Sequence, residues 1–310
     1  MSNDHAHLST NERKGAVLCI GVFDGVHRGH QALLSEGRLL ADELGVPLVA
    51  VTFDPHPMAV VRPESAPQSL ASLAERRFLL FNAGADDVFV LKFTKEVSGW
   101  EPEEFIHRVL VDTLRASAVV VGKNFRFGHR AAGTVDTLRE AGTRYGFAVR
   151  EVGLAADQEP WSSTRVRMAL TAGDIAEANR VLGRDYELTG VVVHGDHRGR
   201  ELGFPTANLF WLGNPVIPAD GVYAGWLIAS NQRFPAAISV GTNPQFSGVE
   251  RRVETYVLDR DDLDLYDQEV TVVFVAHLRG QLVFDGLEGL VEQMAQDVAA
   301  TREVLGLPAN

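Results

Sequence analysis

The order of hydrophobic and polar positions divides the chain into two halves with different periods. In the first half, short apolar runs alternate with longer segments whose apolar residues recur at helical spacing. The apolar runs predict strands at residues 16–20, 48–53, 87–93, 117–121 and 148–152. This alternation predicts an α/β domain built on a doubly wound parallel sheet, and ligands of such sheets bind beyond the carboxyl ends of the strands.

The segment between the first two predicted strands has the pattern of an amphipathic helix. Leu33, Leu40 and Leu44 fall on one face of it, and Gly45 is a typical helix stop. We therefore expect this leucine face to pack on the sheet.

From residue 186 onwards, short β-rich runs follow one another and are separated by turn residues. This pattern predicts an antiparallel barrel or a sandwich. An amphipathic helix closes the chain. Its apolar stripe consists of Leu287, Leu290, Val291, Met294 and Val298. We expect two domains, residues 1–185 and residues 186–310.

Composition narrows the classes of function. The 310 residues carry a net charge of −12, which argues against nucleic acid as the main partner because phosphate backbones require a broad basic face. The chain has no run of about 18 apolar residues, its first residues lack the pattern of a signal peptide, and Cys19 is its only cysteine. We therefore expect a cytoplasmic protein without a membrane span. The oligomeric state is left open, and a homo-oligomer is among the alternatives.

Basic residues nevertheless cluster locally, in the stretches HRGH, KNFRFGHR, STRVR and HGDHRGR. Small basic clusters in an acidic chain predict pockets for small anions, and phosphate groups are the natural candidates.

The first of these clusters belongs to the decamer GVFDGVHRGH, residues 21–30, which follows the first predicted strand. Gly21 and Gly25 allow a tight turn, and His27 and His30 fall on one face of the next helix. A strand, a glycine turn and a helix start together offer unpaired backbone N–H groups and a positive helix end to a phosphate. The decamer matches neither a dinucleotide fingerprint nor a P-loop, and it lacks a third metal ligand. A single histidine here would favour a structural role, whereas the whole decamer between a strand and a helix favours a phosphate site.

The decamer resembles the His-x-Gly-His signature of the nucleotidyltransferase superfamily. The stretches TFDPHP (52–57), VGKNFRFGHRAAG (121–133) and SSTRVR (162–167) are similar to motifs of one family within it, the prokaryotic bifunctional riboflavin kinases/FMN adenylyltransferases, also called FAD synthetases. The resemblance extends over residues 16–305. It implies that the first half is a nucleotidyltransferase domain that converts FMN and ATP into FAD and pyrophosphate.

The resemblance also implies roles for individual residues. His27 and His30 would bind the ATP phosphates and stabilise the leaving pyrophosphate. The implied ATP and phosphate ligands are Gly21, Phe23, Asp24, Gly25, His27, His30, Asn124, Ser163, Thr164 and Arg167. Phe125 and Phe127 would form walls for the flavin ring, although packing at a strand end explains them equally well. One departure from the family is Trp161, where an aliphatic residue is usual.

A second candidate site lies in the stretch 190–209, GVVVHGDHRGRELGFPTANL. Gly195 and Gly199 suit a loop that folds over phosphates. Thr206 and Asn208 lie two residues apart on a strand, so they point the same way and offer hard oxygen ligands. They also fit an ordinary strand start.

Glu254 lies further along the second half and alternates onto the face that carries Tyr256 and Leu258. A carboxylate on a partly apolar face suits a general base, whereas a solvated strand residue is the alternative.

The second half resembles the riboflavin kinase domain of the same family, through LGFPTAN, PADGVYAGW, SVGTNP and VETYVLD in this order. The resemblance implies an antiparallel β-barrel with a C-terminal helix that converts riboflavin and ATP into FMN and ADP. Gly195, Gly199, Thr206 and Asn208 would bind ATP, with Thr206 and Asn208 coordinating Mg²⁺. Glu254 would accept the proton of the riboflavin 5′-hydroxyl. Gln245 and Ser247 depart from the usual Thr and Gly of the family.

Two other functions compete with this interpretation. A class I aminoacyl-tRNA synthetase has a similar His-x-Gly-His motif. It would also need a Lys-Met-Ser-Lys-Ser-like loop and a basic surface for nucleic acid, and this sequence has neither. A flavin carrier would keep the glycine turns without requiring Glu254, Thr206 and both histidines together.

Overall fold

The structure is a computed structural model that describes residues 15–153, 157, 159–194, 204–242, 251–284 and 286–308. The chain forms two compact units, one from residues 1–67 and 73–160 and the other from residues 68–72 and 161–310. The units therefore divide at residue 160, whereas the sequence analysis placed the domain boundary at residue 185. As a boundary between functional domains, residue 185 stays a prediction.

The N-terminal unit contains the predicted doubly wound parallel sheet. Its strands are β1 (Ala16–Ile20), β2 (Leu48–Asp54), β3 (Asp87–Lys92), β4 (Ala116–Gly122) and β5 (Ala148–Val152), in the order β3-β2-β1-β4-β5. All five predicted strands are confirmed, each end within one residue of its predicted position. The order reverses between β1 and β4, and a gap between the carboxyl ends of two strands at such a point is where α/β sheets bind ligands.

Helices cover both faces of this sheet. They are α1 (Arg28–Leu44), α2 (Pro57–Val61), α3 (Leu73–Asn82), α4 (Lys95–Ser98), α5 (Pro102–Phe105), a π-helical segment (Ile106–Thr113) and α6 (Val135–Tyr145), with short 3₁₀ turns at Pro63–Ser65 and His129–Ala131. Every residue of β1 is buried, and its side chains alternate between the two apolar layers. A strand that is buried on both faces has a continuous run of apolar residues in its sequence. This run is why β1 could be predicted from the sequence.

The face of α1 that packs on the sheet differs from the predicted one. Its buried residues are Leu33, Leu34, Gly37 and Ala41. Leu33 was predicted correctly, but Leu40 is only partly buried and Leu44 is 45% exposed, so the predicted leucine stripe is wrong at its C-terminal end. Gly37 and Ala41 replace the expected leucines because small residues let the helix approach the sheet closely.

The C-terminal unit is built on a closed antiparallel barrel. Its strands are β6 (Tyr186–Val193), β7 (Thr206–Phe210), β8 (Gly221–Ala229), β9 (Gln232–Thr242), β10 (Arg251–Val257) and β11 (Glu269–Arg279), in the order β10-β7-β6-β11-β8-β9. The predicted barrel is confirmed. Two further helices, α7 (Ser163–Ala172) and α8 (Ile175–Leu182), share a continuous apolar core with the barrel strands.

The predicted C-terminal helix is α9, Leu287–Leu305, which packs against β8, β9 and β11. The Arg279 guanidinium fastens it to the barrel through a bidentate ion pair with Asp297, with N–O distances of 2.8 and 2.6 Å. Leu287, predicted as part of the apolar stripe, is exposed. Within the described residues, no helix has the length and apolar character that crossing a membrane requires.

Replacing Gly37 by alanine should destabilise the N-terminal unit by about 1–3 kcal/mol, because the added Cβ would overlap the Cys19 sulfur and lie 2.8 Å from Leu48 Cδ1. Urea unfolding of the purified variant measures this loss. Gly289→Ala in α9 is the matched control, since its Cβ would meet nothing closer than 3.9 Å and alanine is the better helix former. Equal stability of Gly37→Ala and the wild type would contradict the close approach of α1 to β1.

Candidate functional site

The first candidate site lies where β1 ends and α1 begins. Phe23, Gly25 and Val26 all have positive φ, at 55°, 76° and 40°. Glycine adopts this conformation freely, but Phe and Val are strained in it. Burial compensates for the strain, since the Phe23 and Val26 side chains are at most 1% exposed. The turn is therefore held in a single tight conformation between the strand and the helix.

This turn places the two histidines next to each other at the start of α1. His27 is the N-cap residue, and its Nδ1 accepts a hydrogen bond from the backbone N–H of Gly29 at 3.1 Å. Because Nδ1 accepts, neutral His27 carries its proton on Nε2, which is then the nitrogen that can donate to a ligand. The rings of His27 and His30 stack with centroids 3.7 Å apart.

His30 is surrounded by groups that disfavour its charged form. Burial, followed by the charges of His27 and Arg76, holds the pKa of His30 well below its usual range. The Phe23 ring packs edge-on against it, with centroids 5.1 Å apart. Its Nδ1 is buried and has no hydrogen-bond partner among the described residues. His30 is therefore a neutral imidazole at neutral pH.

Sequence reasoning missed Arg76, a buried arginine on α3 that lies beside this turn and is only 4% exposed. Its Nη1 donates to the carbonyl oxygens of Phe53 and Val22, at 2.9 and 3.3 Å. The negative charges of Asp24 and Asp54 act on its guanidinium, although burial lowers its pKa overall. No local signal distinguishes Arg76 from its neighbour Arg77, which is exposed.

A large cavity opens beside the same edge of the sheet, with a volume of about 920 Å³. Gly21 and Asn124, two predicted phosphate ligands, line it together with the predicted flavin walls Phe125 and Phe127. The two phenylalanine rings stack at 5.5 Å with an angle of 17° between their planes. The structure thus brings the aromatic walls together with residues that follow β1 and β4.

Basic side chains also line this cavity, and sequence reasoning did not single them out as ligands. They are Arg62, Arg126, His129 and Arg130. The last three belong to the basic stretch KNFRFGHR, so the signal for an anion pocket was present in the sequence.

Ser163, Thr164 and Arg167 lie at the start of α7, in the C-terminal unit. Ser162 caps this helix by accepting a hydrogen bond from the backbone N–H of Arg165. The Nε of Arg167 donates to the carbonyl oxygen of Gln68 at 2.7 Å. Trp161 packs against the apolar core of the same unit, which accommodates the departure from the family pattern.

The second candidate site lies on the barrel, and the strand register assembles it. Glu254 on β10 is paired with Asn208 on β7 and with Ser239 on β9, and Tyr256 is paired with Thr206. Paired residues point to the same face of a sheet, so these side chains form one polar patch. The intervening Thr255 is buried.

Two cavities meet at this patch. One of about 70 Å³ is lined by Thr206 and Asn208, and another of about 260 Å³ is lined by Thr206 and Glu254. Thr206 lines both cavities, so the polar patch lies next to two cavities that could each hold a ligand. The larger cavity is closed by α9 and by Arg279. Sequence reasoning did not place these side chains at the site, because they come from distant parts of the chain.

The remaining predicted positions of this site lie outside the described residues. They are Gly195 and Gly199 of the phosphate loop, and the family departures Gln245 and Ser247. Among the described residues, no group of three or more His, Cys, Asp or Glu side chains could hold a metal ion.

Comparison with known families assigns each half of the chain. Residues 9–165 match the model of FAD synthetase, and residues 182–305 match the model of riboflavin kinase. These matches follow the same order along the chain as the two candidate sites.

Known proteins resemble the chain over nearly its whole length. A bifunctional riboflavin kinase/FMN adenylyltransferase from Pseudomonas fluorescens is 40% identical over 98% of this chain and 97% of its own, and one from Escherichia coli K12 is 35% identical over 97% and 96%. A crystal structure described as a macrolide-efflux protein from Streptococcus pneumoniae superimposes with a TM-score of 0.84 at 31% identity, covering 93% of this chain and 94% of that one. The chain therefore belongs to the family of bifunctional riboflavin kinases/FMN adenylyltransferases, with a FAD synthetase domain followed by a riboflavin kinase domain.

Proposed function

We propose that the turn at the start of α1 carries the conversion of FMN and ATP into FAD and pyrophosphate. An FMN phosphate oxygen attacks the α-phosphorus of ATP, the bond to the bridging oxygen breaks, and pyrophosphate leaves. The observation that supports this assignment is the stacked pair His27 and His30 at a helix start, beside an aromatic cavity of about 920 Å³. Helix N-termini and imidazole N–H groups both stabilise phosphate charge.

This step depends on holding FMN and ATP in the right geometry, and it needs no covalent bond between the enzyme and the adenylyl group. Charge accumulates on the leaving pyrophosphate as the bond breaks, and preorganised donors stabilise that charge more in the transition state than in the ground state. The Nε2–H of His27 suits this role because its Nδ1 is already occupied by the helix cap. We assign Asn124 to the same phosphates. The roles of Ser163, Thr164 and Arg167 as phosphate ligands stay predictions from the sequence.

We assign the flavin ring to the aromatic cavity of the N-terminal unit. The stacked pair Phe125 and Phe127 offers flat apolar surface, which suits an isoalloxazine ring. Arg62 and Arg126 at the same cavity supply positive charge for the FMN phosphate. A cavity with both properties matches FMN, which combines a flat ring with an anionic end.

We propose that Glu254 is the general base of the riboflavin kinase. It accepts the proton of the riboflavin 5′-hydroxyl as that oxygen attacks the γ-phosphorus of ATP, and ADP leaves. The supporting observation is that Glu254 and Thr206 line one cavity while Thr206 and Asn208 line another. The first suits riboflavin and the second suits the ATP phosphates.

Mg²⁺ fits the Thr206 and Asn208 pair. Both residues present oxygen atoms on one face of β7, and Mg²⁺ commonly combines one or two protein ligands with phosphates and water. The lack of an acidic cluster among the described residues agrees with this mode, in which the nucleotide supplies most of the negative charge. Bound there, the ion would neutralise charge on the ATP phosphates.

We propose a cytoplasmic location. Both a monomer and a homo-oligomer are compatible with the sequence. The buried, unpaired Cys19 agrees with a reducing compartment. Size-exclusion chromatography with light scattering measures the oligomeric state.

Glu254→Gln should lower the rate of FMN formation from riboflavin and ATP by about 10²–10⁴-fold, because the amide cannot accept the proton. Conversion of supplied FMN into FAD should stay at the wild-type rate. Chromatographic separation of riboflavin, FMN and FAD measures both reactions. Glu269→Gln, which changes an exposed carboxylate on β11, is the matched control. A fully active Glu254→Gln kinase would show that another group accepts the proton.

His27→Asn should have the opposite effect. Asparagine keeps an N-cap acceptor for α1 but removes the imidazole donor, so FAD formation should fall by about 10²–10³-fold while FMN accumulates. His107→Asn, at an exposed histidine, is the control. If His27→Asn abolished both reactions in protein with wild-type circular dichroism, the division of the two reactions between the two sites would be wrong.

Phe125→Ala should raise the KM for FMN about tenfold in FAD synthesis, which corresponds to ~1.4 kcal/mol of lost binding. The KM for ATP and the kinase reaction should be unchanged. Steady-state kinetics with varied FMN checks this, with the exposed Phe210→Ala as the control. An unchanged KM for FMN would remove Phe125 from the flavin site.

A further inference from the structure

The buried polar side chains of the N-terminal unit are concentrated in one place. Among its described residues they are Asp24, His27, Thr52 and Arg76. Asp24 and His27 belong to the turn after β1, and Arg76 donates to the hydroxyl of Thr52 at 3.3 Å. Burying polar groups costs free energy unless they are paired, so a core that confines them to one site points to a function there.

Arg76 joins the ends of two neighbouring strands. Regular pairing of β1 with β2 ends at Ile20 and Val51, followed by one hydrogen bond from the Gly21 N–H to the Val51 carbonyl. Beyond this point Arg76 Nη1 contacts both segments, through the carbonyls of Val22 and Phe53.

Thr52 completes this connection. Its hydroxyl donates to the Val22 carbonyl at 2.9 Å and accepts from Arg76. Val22 is thus held by two donors from outside its own segment. Because the strained residues of the histidine turn follow directly, any shift of Val22 would be passed on to His27 and His30.

Arg76 also affects the electrostatics of the histidine turn. Its positive charge adds to burial and to His27 in keeping the pKa of His30 low, while Asp24 and Asp54 face the guanidinium itself. These charged groups act on His30 and on Arg76 in addition to the hydrogen bonds described above.

We propose that Arg76 is a positioning residue for adenylyl transfer: it ties the ends of β1 and β2 together and so fixes the turn from which His27 and His30 face the nucleotide phosphates. This inference rests on the proposed function of that turn. Arg76 acts through the histidines, because its Nη1 donates to backbone carbonyls of the two strand ends.

The test compares Arg76→Lys and Arg76→Gln with the wild type in FAD synthesis from FMN and ATP, at several pH values between about 5 and 8. Lysine keeps the charge, but its side chain is one atom shorter than that of arginine, so its ammonium falls short of the Nη1 position that contacts both carbonyls. We therefore expect kcat to fall about 10–100-fold with the pH dependence of the wild type. Glutamine also removes the charge, so the pKa of His30 should rise. A protonated His30 would no longer be the neutral imidazole that stacks on His27 in this structure, so the activity of Arg76→Gln should decline at a higher pH than that of the wild type as the solution is acidified.

Controls separate the possible failures. Arg77→Gln, at the exposed neighbour on α3, should keep wild-type kcat and pH dependence, and wild-type circular dichroism and urea unfolding of every variant show that the N-terminal unit is folded. If the wild type forms no FAD, the proposed function fails. If the wild type forms FAD and Arg76→Gln matches it in kcat and pH dependence, the positioning role fails. A loss confined to the KM for ATP would also overturn it, because that result identifies a direct phosphate ligand.

Discussion

The histidine turn, which we propose as the adenylyltransferase site, depends on the burial of one strand, β1, in the middle of the parallel sheet. Both neighbours of β1 pair with it, and all five of its residues are buried. The packing of α1 through Gly37 against Cys19 then fixes the helix that follows. Because both the strand and the helix are immobilised by the core, the short turn between them has a fixed start and a fixed end. This packing therefore fixes the position of the stacked histidines.

In the barrel the corresponding constraint is strand register. Glu254 lies opposite Asn208, and both point to the face covered by α9. Since side chains alternate between the faces of a strand, a slip of one residue between β7 and β10 would turn Glu254 into the apolar interior and expose Val253. The burial of Val253 and Val257 prevents this slip. The apolar core of the barrel thus determines the position of a polar group on its outer face.

The two units organise polar residues differently. In the N-terminal unit the histidine turn is supported by buried groups, including Arg76 and Asp24, whose charges compensate each other in a poorly solvated place. In the barrel the proposed site lies on a partly exposed face, and the partly buried Arg279–Asp297 pair secures the helix that closes it. Removing one member of the Arg279–Asp297 pair would leave an uncompensated charge, so the loss of either side chain should destabilise the attachment of this helix.

The sequence by itself determined the order of strands along the chain, since continuous apolar runs predicted the ends of β1 to β5 to within one residue. The motif resemblance pointed to His27, Thr206 and Glu254, whose roles stay predictions. The sequence pattern was wrong about Leu44, because a hydrophobicity pattern overlooks small residues such as Gly37 that allow close packing. Only the tertiary structure decided that α7 and α8 pack with the barrel, and that Arg76 is buried while Arg77 is exposed. The reason is physical: local sequence sets the period of an element, whereas the burial of a single side chain depends on what distant segments bring against it.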